Sequence, residues 1–335
     1  MGDAKKGDHM SHKTGIWVGS IAAVLVQCLV AVTAQAQEYP TRPVKMMVGY
    51  GAGGAVDVAA RLVADSWQGR FSQPVVVENR PGASGMVAAE ITAKAPADGY
   101  TVMMTSGGTM TIVVHLVKPG FDSLRDFAPI STFVFNDAVI VVNPKNPART
   151  LQELIAEAKR NPGKLSFGSS GLGGPQHLAG ELLKVRAGID MVHIPYKGDA
   201  QGTTDLLGGN LNIMMAAIPS VAGQIRAGAV RAVAMLADRR NADFPDIPTV
   251  AESGFPGYSV VNWVAPIAPA GTPPAIIQKL NEATRAVLAD PAAVKKLAAM
   301  GSRVEASTPD DFGKLIRSEY AKWGDVIRTQ NIKLE

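Results

Sequence analysis

The chain is poor in cysteine, in aromatic residues and in charge. Its 335 residues contain one cysteine, Cys28, with 6% aromatic and 19% charged residues and a formal net charge of only +4. One cysteine excludes an intramolecular disulfide framework, and the weak, scattered charge excludes an extended nucleic-acid-binding surface. Hydrophobic residues make up 47% of the chain, so we expect a globular protein of two α/β domains.

Several catalytic patterns are also missing. The sequence has no G-x-S-x-G elbow for a nucleophilic serine. Ala55 and Val56 follow the first glycine-rich segment, where a phosphate-binding P-loop needs Lys and Ser or Thr. Beyond the N-terminal segment the histidines are His115, His177 and His193, and none has a partner at a metal-ligand spacing. We therefore predict no catalytic residue, no metal and no cofactor.

The N-terminus has the pattern of a secretory signal peptide. Its basic residues are Lys5, Lys6, His12 and Lys13. An apolar stretch, 16–32, follows, and Ala34-Gln35-Ala36 is an A-x-A cleavage signal. We predict that residues 1–36 are removed by cleavage after Ala36, which takes Cys28 away and leaves a periplasmic protein. The alternative is an uncleaved membrane anchor, against which the short apolar run argues.

Two segments repeat one pattern of buried strand, glycine-rich turn and helix. The first runs from Val44 to Phe71 and the second from Leu165 to 187. Glycines leave the N–H groups of the turn uncovered, and the N-terminus of a helix adds partial positive charge, so each turn suits an anion. Because the two turns are more than a hundred residues apart, we predict two lobes that face one ligand.

Strand and helix patterns alternate along the rest of the chain, which favours parallel pairing with right-handed crossovers. The pattern restarts after a proline-rich segment, 143–147, and an apolar strand, 260–267, brings the chain back. We predict an α/β fold with two crossover strands, in which lobe 1 comprises 37–142 and 262–335 and lobe 2 comprises 143–261. Two crossovers make a hinge that can close around a ligand.

Two other function classes stay open at this point. The segment Gly49 to Gly54 matches G-x-G-x-x-G, and Glu78 ends the next strand where a ribose-binding acid belongs, so an exported Rossmann-like NAD-dependent oxidoreductase is the alternative. The export signal argues against it, as does Asp57, whose charge lies where a pyrophosphate would bind. A structural or adhesive exported protein would bind no small ligand.

Three side chains have two interpretations each. His177 lies in the first turn of a helix beside the second glycine loop, and it either contacts a ligand or caps the loop. Tyr196 either donates a hydrogen bond to a ligand or packs inside its lobe. Trp263, beside the second crossover, forms a wall of the cleft or part of the core.

Seven motifs, spread over nearly all of the predicted mature chain, point to one family. They are Tyr39-Pro40-Thr41-Arg42-Pro43, the loop from Gly51 to Asp57, Glu78-Asn79-Arg80-Pro81-Gly82-Ala83, Ala97-Asp98-Gly99-Tyr100-Thr101, Gly168-Ser169-Ser170-Gly171 with His177-Leu178, Tyr196-Lys197-Gly198, and Ala268-Pro269-Ala270-Gly271-Thr272-Pro273. Through them the chain resembles the periplasmic solute receptors of tripartite tricarboxylate transporters, the Bug/TctC family.

The resemblance implies a type II periplasmic-binding-protein (Venus-flytrap) fold, no enzymatic activity, and capture of a small organic carboxylate for membrane permease subunits. In the family, the loops that match these glycine segments grip one carboxylate, partly through ordered waters. Here Gly49-Tyr50 stands where the family usually has Pro-Phe, and Ala52 where it commonly has Pro. We expect a monomer that binds no nucleic acid. The predicted ligand-binding residues are Tyr50, Ala52, Gly53, Gly54, Asp57, Ser106, Gly107, Gly108, Ser169, Ser170, Gly171, His177, Tyr196 and Pro219.

Overall fold

A computed structural model describes residues 1–2 and 39–333. The predicted apolar stretch, its cleavage site and Cys28 lie outside the described residues. The strands of the described part are β1 (Val44–Val48), β2 (Val75–Asn79), β3 (Thr101–Ser106), β4 (Phe127–Pro129), β5 (Val134–Asn136), β6 (Ala138–Val142), β7 (Ser166–Ser169), β8 (Val192–Pro195), β9 (Ile213–Ala217), β10 (Arg231–Met235), β11 (Asn262–Pro269) and β12 (Ser302–Val304).

The α-helices of the same residues are α1 (Ala55–Phe71), α2 (Met86–Ala93), α3 (Leu151–Arg160), α4 (Pro175–Ala187), α5 (Asp199–Gly208), α6 (Ile218–Arg226), α7 (Pro274–Ala286), α8 (Pro291–Ala299) and α9 (Pro309–Thr329). Short helical turns occupy Ala83–Gly85, Gly108–Ile112, Val113–His115 and Val287–Ala289. None of the described helices has the length and apolar character needed to cross a membrane.

The first sheet has seven strands in the order β12-β5-β11-β3-β1-β2, with β4 paired to β11. Strand β1 is parallel to β2 and β3, as the helical connections α1 and α2 require. Strand β11 enters this sheet from the other half of the molecule and is antiparallel to β3. We call this sheet and its helices lobe 1. The prediction of parallel pairing therefore holds for β1 to β3 and for β7 to β9 of the second sheet, but not for β11, which is antiparallel to its neighbours.

The second sheet, with its helices, forms lobe 2, and its five strands have the order β10-β6-β9-β7-β8. The predicted lobe boundary at residue 142 is wrong. Strand β6 (Ala138–Val142) pairs with β9 and β10 of lobe 2 and not with the first sheet. Only Asp137 lies between β5 in one sheet and β6 in the other. The chain therefore changes lobes at Asp137, and it returns at Asn262, where β11 begins.

The last helix, α9, packs against both lobes. Phe312 and Ile316 in its first half belong to the core of lobe 1. Trp323 and Ile327 in its second half join the core that contains Leu178 of α4. The second half of α9 therefore does not fit the predicted assignment of residues 262–335 to lobe 1 alone, because its apolar face continues past the end of that lobe.

The sequence of α1 explains how it holds the first glycine loop in place. Val56, Val63 and Trp67 lie along one stripe of the helix at spacings that a period of 3.6 brings together, and all three are buried. Trp67 is fully buried, so its truncation to Ala would cost about 3–5 kcal/mol. The helix begins directly after Gly54, whose backbone is extended. The packed stripe thus fixes the position of the loop that precedes the helix.

Candidate functional site

A cavity of about 220 Å³ lies between the two lobes. Ala55, the first residue of α1, borders it from lobe 1, and Pro175 and Gln176, the first residues of α4, border it from lobe 2. The two helices that follow the glycine loops thus begin at one shared cavity. The rest of its lining comes from the crossovers and their surroundings: Asn136, Asp137, Ala138, Ala217, Pro219, Leu236, Val260, Asn262 and Met300.

The first glycine loop is held from below by Asp57. Its Oδ2 accepts hydrogen bonds from the Gly53 N–H at 2.8 Å and from Arg61 Nε at 2.9 Å. Its Oδ1 accepts from Asn79 Nδ2 at 2.9 Å. Asp57 is only 2% exposed, while Gly51 to Gly54 are exposed. The carboxylate is therefore occupied by the loop itself, and the backbone of the loop faces outward.

Hydrogen bonding decides the charge of Asp57. Burial alone would raise its pKa, but the hydrogen bonds from Arg61, from the Gly53 N–H and from Asn79 together lower the pKa below the ordinary value. The group is therefore ionised at neutral pH. A dinucleotide pyrophosphate at this turn would meet a fixed negative charge.

Tyr50 joins three loops of lobe 1. Its hydroxyl oxygen lies 2.8 Å from Ser106 Oγ and 2.7 Å from Thr109 Oγ1, and it donates to the Ser84 carbonyl at 3.2 Å. Gly85 allows this approach, because a Cβ there would collide with Thr109 Oγ1. The Tyr50 and Ser106 side chains thus bind each other and position the loop around Gly107 and Gly108. Their predicted contact with a ligand stays a prediction.

The second glycine loop is held by two histidines. Ser169 Oγ donates to the Gly171 carbonyl at 2.8 Å and lies 2.7 Å from His193 Nε2. Because the single hydroxyl proton goes to Gly171, His193 Nε2 is the donor to Ser169 Oγ. His177 Nδ1 accepts from the Gly173 N–H at 3.0 Å. The two imidazole rings stack with centroids 3.8 Å apart.

Both histidines are neutral at neutral pH. Burial lowers the pKa of His177 to about 4, with a smaller effect from the charge of Lys184. Burial also lowers the pKa of His193 to about 3, helped by His177 and Lys184. Neither histidine therefore brings a positive charge to the second loop at neutral pH. An anion bound there would depend on backbone N–H groups. His177 acts as the cap of the loop, which was one of its two interpretations.

The other two side chains with open interpretations lie inside their lobes. Tyr196 is 9% exposed, and its hydroxyl donates to Asp205 Oδ2 at 2.9 Å within lobe 2. Burial, with Asp205, raises the pKa of Tyr196 to about 12. Trp263 is 1% exposed and meets the ring of Phe312 edge-on at 5.1 Å, so the core interpretation is correct for Trp263.

The structure brings Pro219, among the predicted site residues, to the lining of the cavity. The predicted Gly53, Gly54 and Gly171 precede the helices whose first residues border it, whereas Gly107 and Gly108 follow β3 and are not among its lining residues. Polar lining residues that the sequence analysis missed are Asn136, Asp137, Gln176 and Asn262. One signal was available, since Asn136-Asp137 interrupts two apolar strands. Within residues 1–2 and 39–333, no group of three His, Cys, Asp or Glu side chains is arranged to hold a metal ion.

Comparison with known sequences identifies the family. The family model described as "Tripartite tricarboxylate transporter family receptor" (TctC) matches residues 59–332. Protein BugT of Bordetella pertussis is 38% identical over 308 residues, which cover 91% of this chain and 94% of BugT.

Solved structures agree with this assignment. A structure described as R. palustris Rpa4515 with adipate is 33% identical, covers 88% of this chain and 99% of its own, and superposes with a TM-score of 0.70. MatC from Rhodopseudomonas palustris with bound malate is 28% identical, covers 86% and 100%, and has a TM-score of 0.68.

A TctC solute-binding protein from Polaromonas, described as having no ligand, is 27% identical, covers 87% and 99%, and reaches a TM-score of 0.81. The chain belongs to the receptor family of the tripartite tricarboxylate transporters, TctC, whose members are periplasmic solute-binding proteins and not enzymes.

Proposed function

We propose that this protein is an exported periplasmic receptor that captures a small organic carboxylate between its lobes. It then delivers the ligand to the permease subunits of a tripartite tricarboxylate transporter. The observation that carries the proposal is the shared cavity onto which α1 of lobe 1 and α4 of lobe 2 begin. Among the described residues, the cavity lining includes no Lys, Arg or His, so the anion would be held by backbone groups.

The first turn of each helix supplies suitable donors, except at Pro175 of α4, which has no N–H. The N–H groups of this turn have no carbonyl partner within the helix, and the helix dipole adds partial positive charge. Hydrogen bonds to a charged group contribute roughly 1.5–3 kcal/mol each. A few of them support a micromolar affinity, about −8 kcal/mol, after the costs of association.

The size of the cavity supports a small ligand. Its volume of about 220 Å³ is many times the roughly 10–15 Å³ that one water molecule needs in the same measure. A compact organic acid fits such a space. Adipate and malate, the ligands of two structural neighbours, are small carboxylates.

The arrangement of the lobes supports a closing motion. The TM-score is 0.81 for the ligand-free neighbour at 27% identity, and 0.70 and 0.68 for the adipate and malate complexes at 33% and 28% identity. Superposition of a two-lobed protein depends on the angle between its lobes. The chain superposes better on this ligand-free relative than on these two complexes. A ligand that binds both lobes favours the closed form, which the permease would recognise.

A thermal-shift panel of mono-, di- and tricarboxylates, on protein refolded to remove co-purified ligand, tests the proposal. A ligand at 100 times its Kd raises the free energy of unfolding by about 2.7 kcal/mol. We expect at least one carboxylate to do so. Stabilisation by NAD and by no carboxylate would overturn the proposal in favour of an oxidoreductase, and no stabilisation at all would favour a structural protein.

One variant separates binding from folding. Ala55→Asp puts a negative charge at the start of α1, where it stabilises the helix by about 0.3–1 kcal/mol but repels an anion in the cavity. We expect Ala55→Asp to lose carboxylate stabilisation, and the neutral Ala55→Asn to keep most of it. The matched control is Ala275→Asp, which puts the same charge in the first turn of α7, whose residue Ala275 is exposed and outside the cavity lining. Equal binding by all three would contradict the proposed site.

The proposal also includes export and oligomeric state. Cleavage after Ala36 predicts Gln37 as the first residue of protein purified from the periplasm, which Edman sequencing or intact-mass measurement tests. A monomer is expected by light scattering. Crosslinking in cells that also contain the permease tests the partnership.

A further inference from the structure

The hinge end of the cavity differs chemically from the end where the helices begin. Asn136 and Asp137 line it from the first crossover, and Asn262 lines it from the second. Asn136 ends β5 and Asn262 begins β11, and the two are paired in the lobe 1 sheet, whereas Asp137 is the residue between the two sheets. Asp137 is the one charged residue among the described lining residues.

Asp137 is buried with half of its hydrogen-bonding capacity unused. Its side chain is 3% exposed, and Oδ2 accepts a hydrogen bond from Asn241 Nδ2 at 3.2 Å. Its Oδ1 is buried and has no hydrogen-bond partner among the described residues. Arg303 Nε lies 4.0 Å from Oδ1, which is close enough for attraction but too far for a hydrogen bond. Burial raises the pKa of Asp137, and Arg303 partly opposes this.

Asn262 repeats this feature on the second crossover. Its Oδ1 is also buried and lacks a hydrogen-bond partner among the residues described. Asn136 Oδ1, in contrast, already accepts from Ser302 Oγ at 2.7 Å. Two unpaired acceptors on residues that line one cavity are unusual, because a buried polar atom without a partner costs about 1–3 kcal/mol. Neither acceptor has a donor among the described residues, and Arg303 Nε, which lies 4.0 Å from Asp137 Oδ1, is also unpaired. A donor group on a ligand at the crossovers would satisfy either acceptor.

We propose that the ligand carries a hydrogen-bond donor, an amino or a hydroxyl group, at the end opposite its carboxylate, and that Asp137 and Asn262 select this group over a second carboxylate. The inference rests on the proposed function and names the ligand class for the same cavity. The donor group of the ligand then meets the acceptors Asp137 and Asn262. Its carboxylate meets the N–H donors at the starts of α1 and α4. A second carboxylate would bring a negative charge to Asp137 and leave both acceptors unpaired.

Calorimetric titration with ligands of matched length tests the selection. The set is an ω-amino acid, an ω-hydroxy acid, an unsubstituted monocarboxylate and a dicarboxylate, each with chains of four, five and six carbons. Hydrogen bonds of this kind correspond to about a tenfold or greater difference in affinity. We expect the amino or the hydroxy acid of one length to bind at least tenfold more tightly than the dicarboxylate and the unsubstituted acid of that length.

The two donor groups are distinguished in the same experiment. An ammonium group gains from the charge of Asp137, so the preference for the amino acid over the hydroxy acid would shrink when the aspartate is neutralised. A hydroxyl group would show little dependence on that charge. The inference is wrong if a dicarboxylate or an unsubstituted acid binds as tightly as the best donor-bearing acid, or if no donor-bearing acid binds.

Variants connect the selection to the residues. Asp137→Asn removes the charge with little change of shape. We expect it to weaken binding of an ω-amino acid about tenfold or more, to change binding of an ω-hydroxy acid little, and to strengthen binding of the matched dicarboxylate. Asn262→Ala removes the second acceptor and should weaken the donor-bearing acid in the same direction, which gives an independent readout should Asp137→Asn not fold. Asp98→Asn, at an exposed ion pair with Arg42, is the control. Unchanged ligand ratios in both cavity variants would refute the inference.

The outcomes also separate this inference from the proposed function. If a dicarboxylate binds best and Asp137→Asn changes nothing, the protein is still a carboxylate receptor and only the donor selection is refuted. If no carboxylate of the wider panel binds, the proposed function itself is refuted.

Discussion

Pro219 of lobe 2 and Gly301 of lobe 1 touch across the cleft. A Cβ built on Gly301 would overlap the ring of Pro219. Pro219 stands in the first turn of α6 and borders the cavity, and Gly301 lies between α8 and β12, next to Met300 of the cavity lining. The absence of a side chain at one position therefore lets the two lobes come together at the edge of the site.

Gly301→Ala should hold the lobes apart. Its backbone φ is +67°, so the variant combines left-handed strain with overlap against Pro219. We expect a loss of about 1–3 kcal/mol from overpacking in addition to the strain, or a larger radius of gyration by X-ray scattering if the lobes separate. Weaker ligand stabilisation should accompany either result.

Gly228→Ala is the matched control, because Gly228 also has a φ of +67° and a Cβ there meets nothing within 4 Å. It should show the left-handed strain alone, about 1 kcal/mol. Equal urea midpoints and equal scattering for the two variants would contradict a steric role for Pro219.

Asp57→Ala should loosen the first glycine loop. The variant removes the acceptor of the Gly53 N–H and of Arg61, so we expect a loss of about 1–3 kcal/mol in the free energy of unfolding. Faster hydrogen exchange of the Gly53 amide would locate the effect. Arg61→Ala should cost less, about 1 kcal/mol or below, because its side chain is 52% exposed. Unchanged exchange at Gly53 in Asp57→Ala would refute the anchoring role.

The stacked pair His177 and His193 should make the free energy of unfolding decrease as the pH falls. Their pKa values in the folded protein, about 4 and about 3, lie below the ordinary 6.5, so the unfolded chain binds more protons. The stabilisation is fully present above pH 6.5 and is lost as the pH falls toward 4 and then 3. From pH 7 to pH 5 we expect a loss of about 2 kcal/mol for each histidine, about 4 kcal/mol for the pair, in urea unfolding.

The double variant His177→Gln and His193→Gln should lose most of this pH dependence. Some pH dependence should remain, because burial also lowers the pKa of His115. Its Nε2 lies 2.9 Å from the Tyr320 carbonyl of α9. The same slope between pH 7 and pH 5 in the double variant and the original protein would show that the pair is not responsible.

Arg239 and Glu305 form an ion pair between the lobes, with Nη2 and Oε2 3.1 Å apart. Their side chains are 51% and 46% exposed, so solvent screens the attraction and we expect a coupling of only about 0.2–1 kcal/mol. A double-mutant cycle with Arg239→Gln and Glu305→Gln, measured at low and high salt, should show the coupling disappear at 1 M salt. A coupling above 2 kcal/mol that persists in salt would contradict this account.

The prediction of the fold succeeded where local patterns are strong. The run from Val44 to Val48 and the glycines after it predict a strand, a turn and a helix, and β1 and α1 follow. The assignment of residues 138–142 to lobe 1 failed because an apolar run predicts a buried strand but says nothing about which sheet receives it. Sheet membership depends on partners that are distant in the sequence, such as β9 for β6.

The candidate site divides in the same way. Glycine loops can be found in the sequence because their chemistry lies in consecutive residues. Asp137 and Asn262 are 125 residues apart by their numbers, and each alone resembles an ordinary polar residue beside a strand. Side-chain partners such as Gly53 for Asp57, or His193 for Ser169, likewise decide which predicted residues hold the loops.

The sequence by itself determined the family, the α/β class and the two anion-suited turns, because each depends on residues that are close along the chain. Only the tertiary structure decided where the chain changes lobes, that Asp57 and Tyr50 are held by their own lobe, and that two unpaired acceptors meet at the hinge. The reason is that hydrogen-bonding capacity is known only when every neighbour is known, and folding brings those neighbours from both halves of the chain.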